Sequence, residues 1–389
     1  MNKNLYNNPL VTISVHQKFH AFRLAEGLAK KEILRTLYTI YPKNRIKSYS
    51  IPLKRIKSYF LLGAFKYITC SKLKIKTFDY FTSCIFDFLV AYSLEKTGKK
   101  KEIFHGWNGA SLKSIQRAKK LGYITVVERS CPHIDIQKKL IEEEQKRLLG
   151  KVIYYEEKKK VAMMKKEYEM ADFIVTPSLY TRRSFIEKGY NPKKIITVPL
   201  SLEKITMRPK EKRTKRFKVL CIGGNFYRKG LYYLLRAWKL LNLENAELII
   251  KGNIPKEFEK MKKINNLHLI TQRLSNKNLA ALYQKVDIFV LPSIDDGFGM
   301  VVVEAMTAGL PVIITKNVGV ADGIKNGEEG FVVPIRDPEA LAEKISYFYN
   351  NPQKINEMGN KAFKKSRIYA PEAYVNRMCE VYRKMIAYH

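Results

Sequence analysis

Asp296 and Glu304 stand eight residues apart, on either side of the glycine loop Gly297-Phe298-Gly299. Carboxylates placed this way accept hydrogen bonds from sugar hydroxyls and are ill suited to holding phosphate. Between them, Gly299, Met300 and Val301 open an apolar helical run, and the first amides of a helix have no intrahelical partner. Those amides can donate to an anion, and the flanking glycines let the backbone come close to it. Hydroxyl acceptors around an anion site suit a nucleotide sugar. The plain alternative is a surface turn with a capping Asp and an ordinary helical Glu.

A second loop has matching chemistry. Phe217 to Gly224 is an apolar run ending in glycines, followed by Asn225-Phe226-Tyr227-Arg228-Lys229-Gly230 and a helical pattern at Leu231, Leu234, Leu235 and Trp238. Arg228 as a fork and Lys229 as a point charge can neutralise a diphosphate beside Gly224. The competing reading is a solvated basic pair in a basic chain.

The elements that must position these residues alternate along the chain. Short apolar runs at Ala246–Gly252, Leu267–Thr271, Asp287–Ser293, Pro311–Thr315 and Gly330–Val333 read as strands separated by helical stretches. The first half repeats the pattern at Val11–Val15, Leu37–Tyr41, Glu102–Trp107, Ile124–Ser130, Phe173–Ser178 and Ile196–Leu200, with helices over Ala21–Lys31 and Leu112–Leu121. Parallel, doubly wound sheets are expected, with ligands beyond the carboxyl ends of the strands. A chain of 389 residues exceeds one ordinary core, so two domains are expected. The charged segment 202–216 is the expected linker.

His16, Lys18 and His20 follow the first predicted strand, while Arg129 and His133 follow a later one. Histidines at strand ends serve as structural hydrogen bonders or as cleft residues. Their spacing matches no zinc ligand set, so no metal is expected. The five scattered cysteines read as thiols in a reducing compartment.

Taken together, residues 291–314 resemble the acidic-x7-Glu signature of retaining glycosyltransferases of family 4, and Arg228-Lys229-Gly230 resembles that family's donor-phosphate motif. The resemblance implies an α/β chain of the GT-B fold, two doubly wound Rossmann-like domains facing across a cleft. It implies an N-terminal acceptor-binding domain over 1–203, a nucleotide-sugar-binding domain over 204–370, and a C-terminal helix over 371–389 that packs back on the first domain. By the same resemblance Glu304 holds the donor ribose, Asp296 lies by the hexose hydroxyls, and Lys229 and Arg228 take the diphosphate near Gly224. Gly297, Phe298, Gly299, Met300 and Val301 present their main chain to sugar and phosphates. A histidine in the region resembling His133 approaches the donor sugar, so catalysis is assigned to Asp296, His133 and Lys229. His16, Lys18, His20 and Arg129 are assigned to the acceptor side of the cleft.

The chain departs from the family pattern in three places. Asp296 stands where the family usually has Glu, and reaches one methylene less far. Gly224 and Asn225 occupy a neighbourhood where many members carry Arg, and His16 to His20 replace a glycine pair. The implied reaction is metal-independent transfer of a hexose from a UDP- or GDP-linked donor, with retention, to a glycan or lipid-linked acceptor in cell-surface polysaccharide or glycolipid synthesis. No side chain is an evident covalent nucleophile, which favours a same-face reaction in which the leaving phosphate helps deprotonate the acceptor. No cofactor is expected.

The net charge of +36 attracts anions. Residues 43–76 hold ten Lys or Arg and no Asp or Glu, interleaved with Tyr59, Phe60, Leu61, Leu62, Phe65, Tyr67 and Ile68. Such a segment suits an anionic membrane surface. A membrane-spanning segment and a signal peptide are not expected, which points to a cytoplasmic enzyme peripheral on the inner membrane face. Nucleic acid fits the charge, but no nucleic-acid-binding motif accompanies it. The rivals are a GT-B protein that has lost catalysis and a basic nucleic-acid-binding protein.

Overall fold

A computed structural model describes residues 9–17, 20–73, 75, 77–95, 98, 101–153, 157–202 and 216–388. Lys18, most of the expected linker, the expected domain boundary at 203–204, and Lys74 and Lys76 of the basic segment lie outside the described residues.

Two parallel sheets carry the fold. The first comprises β1 (Leu10–Val15), β2 (Leu34–Thr39), β3 (Ile56–Ser58), β4 (Glu102–Trp107), β5 (Ile124–Glu128), β6 (Phe173–Thr176) and β7 (Ile195–Thr197) in the order β3-β2-β1-β4-β5-β6-β7. The second comprises β8 (Phe217–Gly223), β9 (Ala246–Gly252), β10 (Leu267–Ile270), β11 (Ile288–Leu291), β12 (Val312–Thr315) and β13 (Gly330–Val333) in the order β10-β9-β8-β11-β12-β13. Helices cover both faces, which suits a strand such as Ile288-Phe289-Val290-Leu291, apolar and wholly buried. Strand order reverses between β1 and β4, and again between β8 and β11. Each reversal opens a crevice at the carboxyl ends, where the predicted site loops begin.

Two details differ from the sequence reading. The second strand starts at Leu34 rather than Leu37, because Arg35 is held against the buried carboxylate of Glu102 on β4 and the polar start of the strand is thereby satisfied. The edge strand β3 lies inside the basic segment, with register Leu37 to Ile56. Three residues flanked by lysines carry too little apolar pattern to announce it.

The helix Pro371–Tyr388 buries Tyr374, Val375, Met378, Cys379, Tyr382 and Met385, a stripe at helical spacing. It lies against the helix Ala21–Lys30 of the first domain. Its tyrosines reach further, into the polar centre of the first sheet.

Candidate active site

The loop after β8 is folded by Asn225, whose side chain accepts from the Arg228 amide at 2.9 Å and whose carbonyl accepts from the Lys229 amide at 2.9 Å. This turns the Lys229 stem over Gly223, where an added Cβ would meet Lys229 Cγ at 2.8 Å. The ammonium ends on the Asp296 carboxylate. Two residues predicted from separate motifs are thus in contact. Burial opposes charge on Asp296, but Lys229 and Arg228, together with the Phe298 amide, outweigh it and hold its carboxyl below the ordinary carboxylate range. The two side chains remain 12% and 13% exposed, so a ligand can reach the pair.

Asp296 opens a loop bonded on both sides, its amide donating to Asn317 O and its carbonyl accepting from the Gly319 amide, each at 2.9 Å. The next residue, Gly297, sits against the first domain. An added Cβ there would lie 2.0 Å from Ser130 O, and the Gly297 carbonyl accepts from Ser178 Oγ at 2.7 Å and Thr181 Oγ1 at 3.1 Å. Only a residue without a side chain permits this approach. Phe298 is buried, its ring 5.7 Å from that of Tyr369. The helix Met300–Thr307 then follows Gly299, so the amide end of Gly299, Met300 and Val301 points to the same crevice mouth. Glu304, one turn on, accepts from Tyr283 Oη at 2.8 Å. Gly224 lies at the end of β8 with open space where a side chain would stand.

Asp295 was not singled out by sequence, yet it joins the two domains. Its wholly buried carboxylate accepts from Gln137 Nε2 at 2.7 Å and Tyr180 Oη at 3.1 Å, both from N-terminal helices, and lies 3.9 Å from Arg228 Nη1. Arg129 donates to Gln137 Oε1 at 2.8 Å. A continuous polar path therefore runs from Arg129 through Gln137 and Asp295 to Arg228. Burial raises the Asp295 carboxyl above its ordinary value.

The predicted histidines separate. His133 is buried. It caps the helix Ile134–Leu149, accepting from the Asp135 amide at 3.3 Å, and its ring lies among Tyr168, Phe185 and Tyr190. Burial lowers it to about 4, so it is neutral at pH 7. His20 pairs with Glu128, which is 1% exposed, lies 3.1 Å from His105 Nε2 and accepts from Tyr374 Oη at 2.8 Å. Tyr382 Oη stands 2.6 Å from His105 Nδ1. Burial disfavours the Glu128 charge, but the histidines outweigh it and hold the carboxyl at about 2. His16 contacts Lys66 and lies 3.3 Å from Ser83 Oγ. The signal for the Glu128 cluster was its place at the end of β5, directly before Arg129.

Two parallel-sheet Rossmann-like domains with loops converging on one crevice define the GT-B architecture. Solved structures share it: sucrose-phosphate synthase from Thermosynechococcus elongatus has a TM-score of 0.65 at 15% identity, covering 98% of this chain and 100% of that one. TarM has a TM-score of 0.67 at 14% identity, with 97% and 99% covered. At these identities the likeness is one of fold. Residues 203–365 match the model of the family described as glycosyl transferases group 1. An uncharacterized glycosyltransferase of Methanocaldococcus jannaschii is 31% identical over 168 residues, 43% of this chain and 48% of that protein. The capsular polysaccharide biosynthesis glycosyltransferase CapM of Staphylococcus aureus is 30% identical over 160 residues, 38% of this chain and 41% of that one. The chain thus spans less than half the length of these two curated relatives in the matched region.

Proposed function

We propose that the protein is a glycosyltransferase that moves a sugar from a nucleoside-diphosphate donor to a glycan or lipid-linked acceptor, in polysaccharide or glycolipid synthesis, with retention at the anomeric carbon. The contact of Lys229 with Asp296 carries this reading. It joins a phosphate loop to a hydroxyl-binding acid at the mouth of one crevice. The diphosphate sits on Lys229, Arg228 and the amide end at Gly299, Met300 and Val301, whose positive charge stabilises it as it leaves. A metal is then not needed. Donor phosphate competes with Asp296 for Lys229, which frees the carboxylate for the sugar hydroxyls. Glu304, aligned by Tyr283, takes the ribose. Relatives in polysaccharide synthesis support the pathway class.

Calorimetry with UDP-, GDP- and ADP-sugars tests the reading. Micromolar binding of one base class, lost in Glu304→Ala, is expected, and failure of all three to bind sets the proposal aside. Proton NMR of the product reads the anomeric configuration.

The enzyme further docks peripherally on an anionic membrane. The described residues contain no helix long and apolar enough to cross a bilayer. The segment from Leu53 to Tyr92 nevertheless leaves Phe60, Leu61, Tyr67, Leu73, Phe81 and Tyr92 more than half exposed, amid lysines. Cosedimentation with phosphatidylglycerol vesicles but not phosphatidylcholine vesicles is the expected outcome.

A further inference from the structure

A cavity of about 510 Å³ lies beside this apolar face, between the end of β1 and the helix Phe60–Lys66. Its size is that of a small-molecule site. One wall is aromatic or aliphatic, from Ile40, Tyr41, Phe60 and Tyr67, and the other carries Arg45 and Lys66. Among the described residues no carboxylate lines it. Behind the wall, Lys66 and Lys160 share the single carboxylate of Asp79, the first at 2.6 Å. His16 adds no charge, because burial beside Lys66 lowers it to about 3. Arg45 and Lys66 thus present cationic donors to the cavity, the chemistry that takes an anion.

The geometry of the wall is specific. Gly63 brings the helix Phe60–Lys66 onto the end of β2, since an added Cβ would lie 2.3 Å from Ile40 O. The chain then widens into a π-helical turn, Tyr67–Lys72, with the Leu73 amide donating to Ile68 O at 3.0 Å. Such turns are rare and concentrate at functional sites. Here the turn sets Tyr67 at the cavity rim, where Phe60 is 52% and Tyr67 58% exposed, continuous with the exposed Leu61, Phe65 and Ile68. A ligand held by its anionic end therefore leaves with an apolar body across the membrane-facing side.

We propose that this cavity binds the phosphate end of a long-chain lipid phosphate or diphosphate, the lipid-linked acceptor, whose tail passes between Phe60 and Tyr67 into the bilayer. The proposal rests on the transferase reading and names the acceptor class. His16 follows β1 and Ile40 follows β2, so the cavity lies at the carboxyl ends of these strands.

Calorimetry on the full chain with farnesyl phosphate, below its micellar concentration, tests the proposal. Farnesyl phosphate binds, while farnesol and inorganic phosphate each bind at least about tenfold more weakly, the loss expected for one charge-assisted contact or its apolar counterpart. Arg45→Ala and Tyr67→Ala each weaken farnesyl phosphate binding by about tenfold and leave nucleotide-sugar binding unchanged, which also certifies their folding. Equal binding of farnesol shows a merely greasy surface, and equal binding of inorganic phosphate shows a plain anion site; either overturns the proposal. So does undiminished binding in both variants, or no binding by a protein that still takes its nucleotide sugar. Loss of nucleotide-sugar binding alone, with farnesyl phosphate still bound, sinks the transferase reading instead.

Discussion

The carboxyl ends of the two sheets hold clusters of similar composition and opposite accessibility. In the second domain Lys229 and Asp296 are linked by an ion pair and stay partly open, while Glu304 accepts from Tyr283. In the first domain Glu128 is sealed beneath His20, His105 and Tyr374, which all close on its carboxylate. The same residue types thus leave a partly open pair in one place and make a structural joint in the other. Burial decides which, because a sealed ion pair has no spare valence for a ligand and is costly to break from one side.

The sharpest way to break this contrast is Glu128→Ala. It strands two histidines and a tyrosine and is expected to cost about 3 to 5 kcal/mol of stability in urea unfolding, whereas Asp296→Ala costs under about 1.5 kcal/mol. Equal losses would end the distinction. Next, Lys229→Ala is expected to lower turnover by about 10²- to 10³-fold with an unchanged unfolding midpoint, as for removal of one group that stabilises developing charge. A melting-point drop that accounts for the lost activity would place Lys229 among the structural groups. Gly297→Ala pushes a methyl against Ser130 O and is expected to cost about 1 to 3 kcal/mol while weakening donor turnover, because it separates the domains where they touch. Unaltered stability and turnover would show that the interdomain approach is dispensable.

The smallest effect concerns pH. The folded-state value of His133 is depressed to about 4, below its ordinary 6.5, so the unfolded chain takes up a proton first as pH falls through 6.5. Stability therefore declines between pH 6.5 and about 4 and levels below that. His133→Asn, which keeps a helix-capping acceptor, is expected to make this decline shallower in urea midpoints at pH 7 and pH 5. Glu128 acts in a lower window: its depressed value contributes stability above its ordinary 4.5 that is lost as pH falls toward about 2. An unchanged slope in His133→Asn would mean that another group drives the acid response.

The strands of the second domain were legible because they are apolar on both faces, so each run stands out between polar helices and turns. The helix Pro371–Tyr388 resisted simple assignment from the sequence and was expected to cross back to the first domain only by resemblance; its buried stripe emerges in the fold. The phosphate loop and the acidic loop were legible because glycines and charges cluster there within a few residues. The Glu128 cluster was not, since its members come from positions 20, 105, 128 and 374, and no local period links residues that meet only in the fold. Asp295 was masked by its neighbour. Alternate residues of an extended loop point opposite ways, so of two adjacent aspartates one faces the crevice lysine and the other faces the first domain.

The helix Pro371–Tyr388 carries one more consequence. Tyr374 and Tyr382 complete the polar centre of a sheet whose first strand begins at Leu10. During synthesis the ribosome must therefore make the entire second domain before the first can close its core. The usual order, in which an N-terminal domain finishes folding while the rest is translated, is denied to this chain. Until residue 388 has left the exit tunnel, Glu128 and its histidines wait in an unfinished shell, and a stalled or truncated product exposes the apolar face of the helix Ala21–Lys30 to whatever chaperone is nearest.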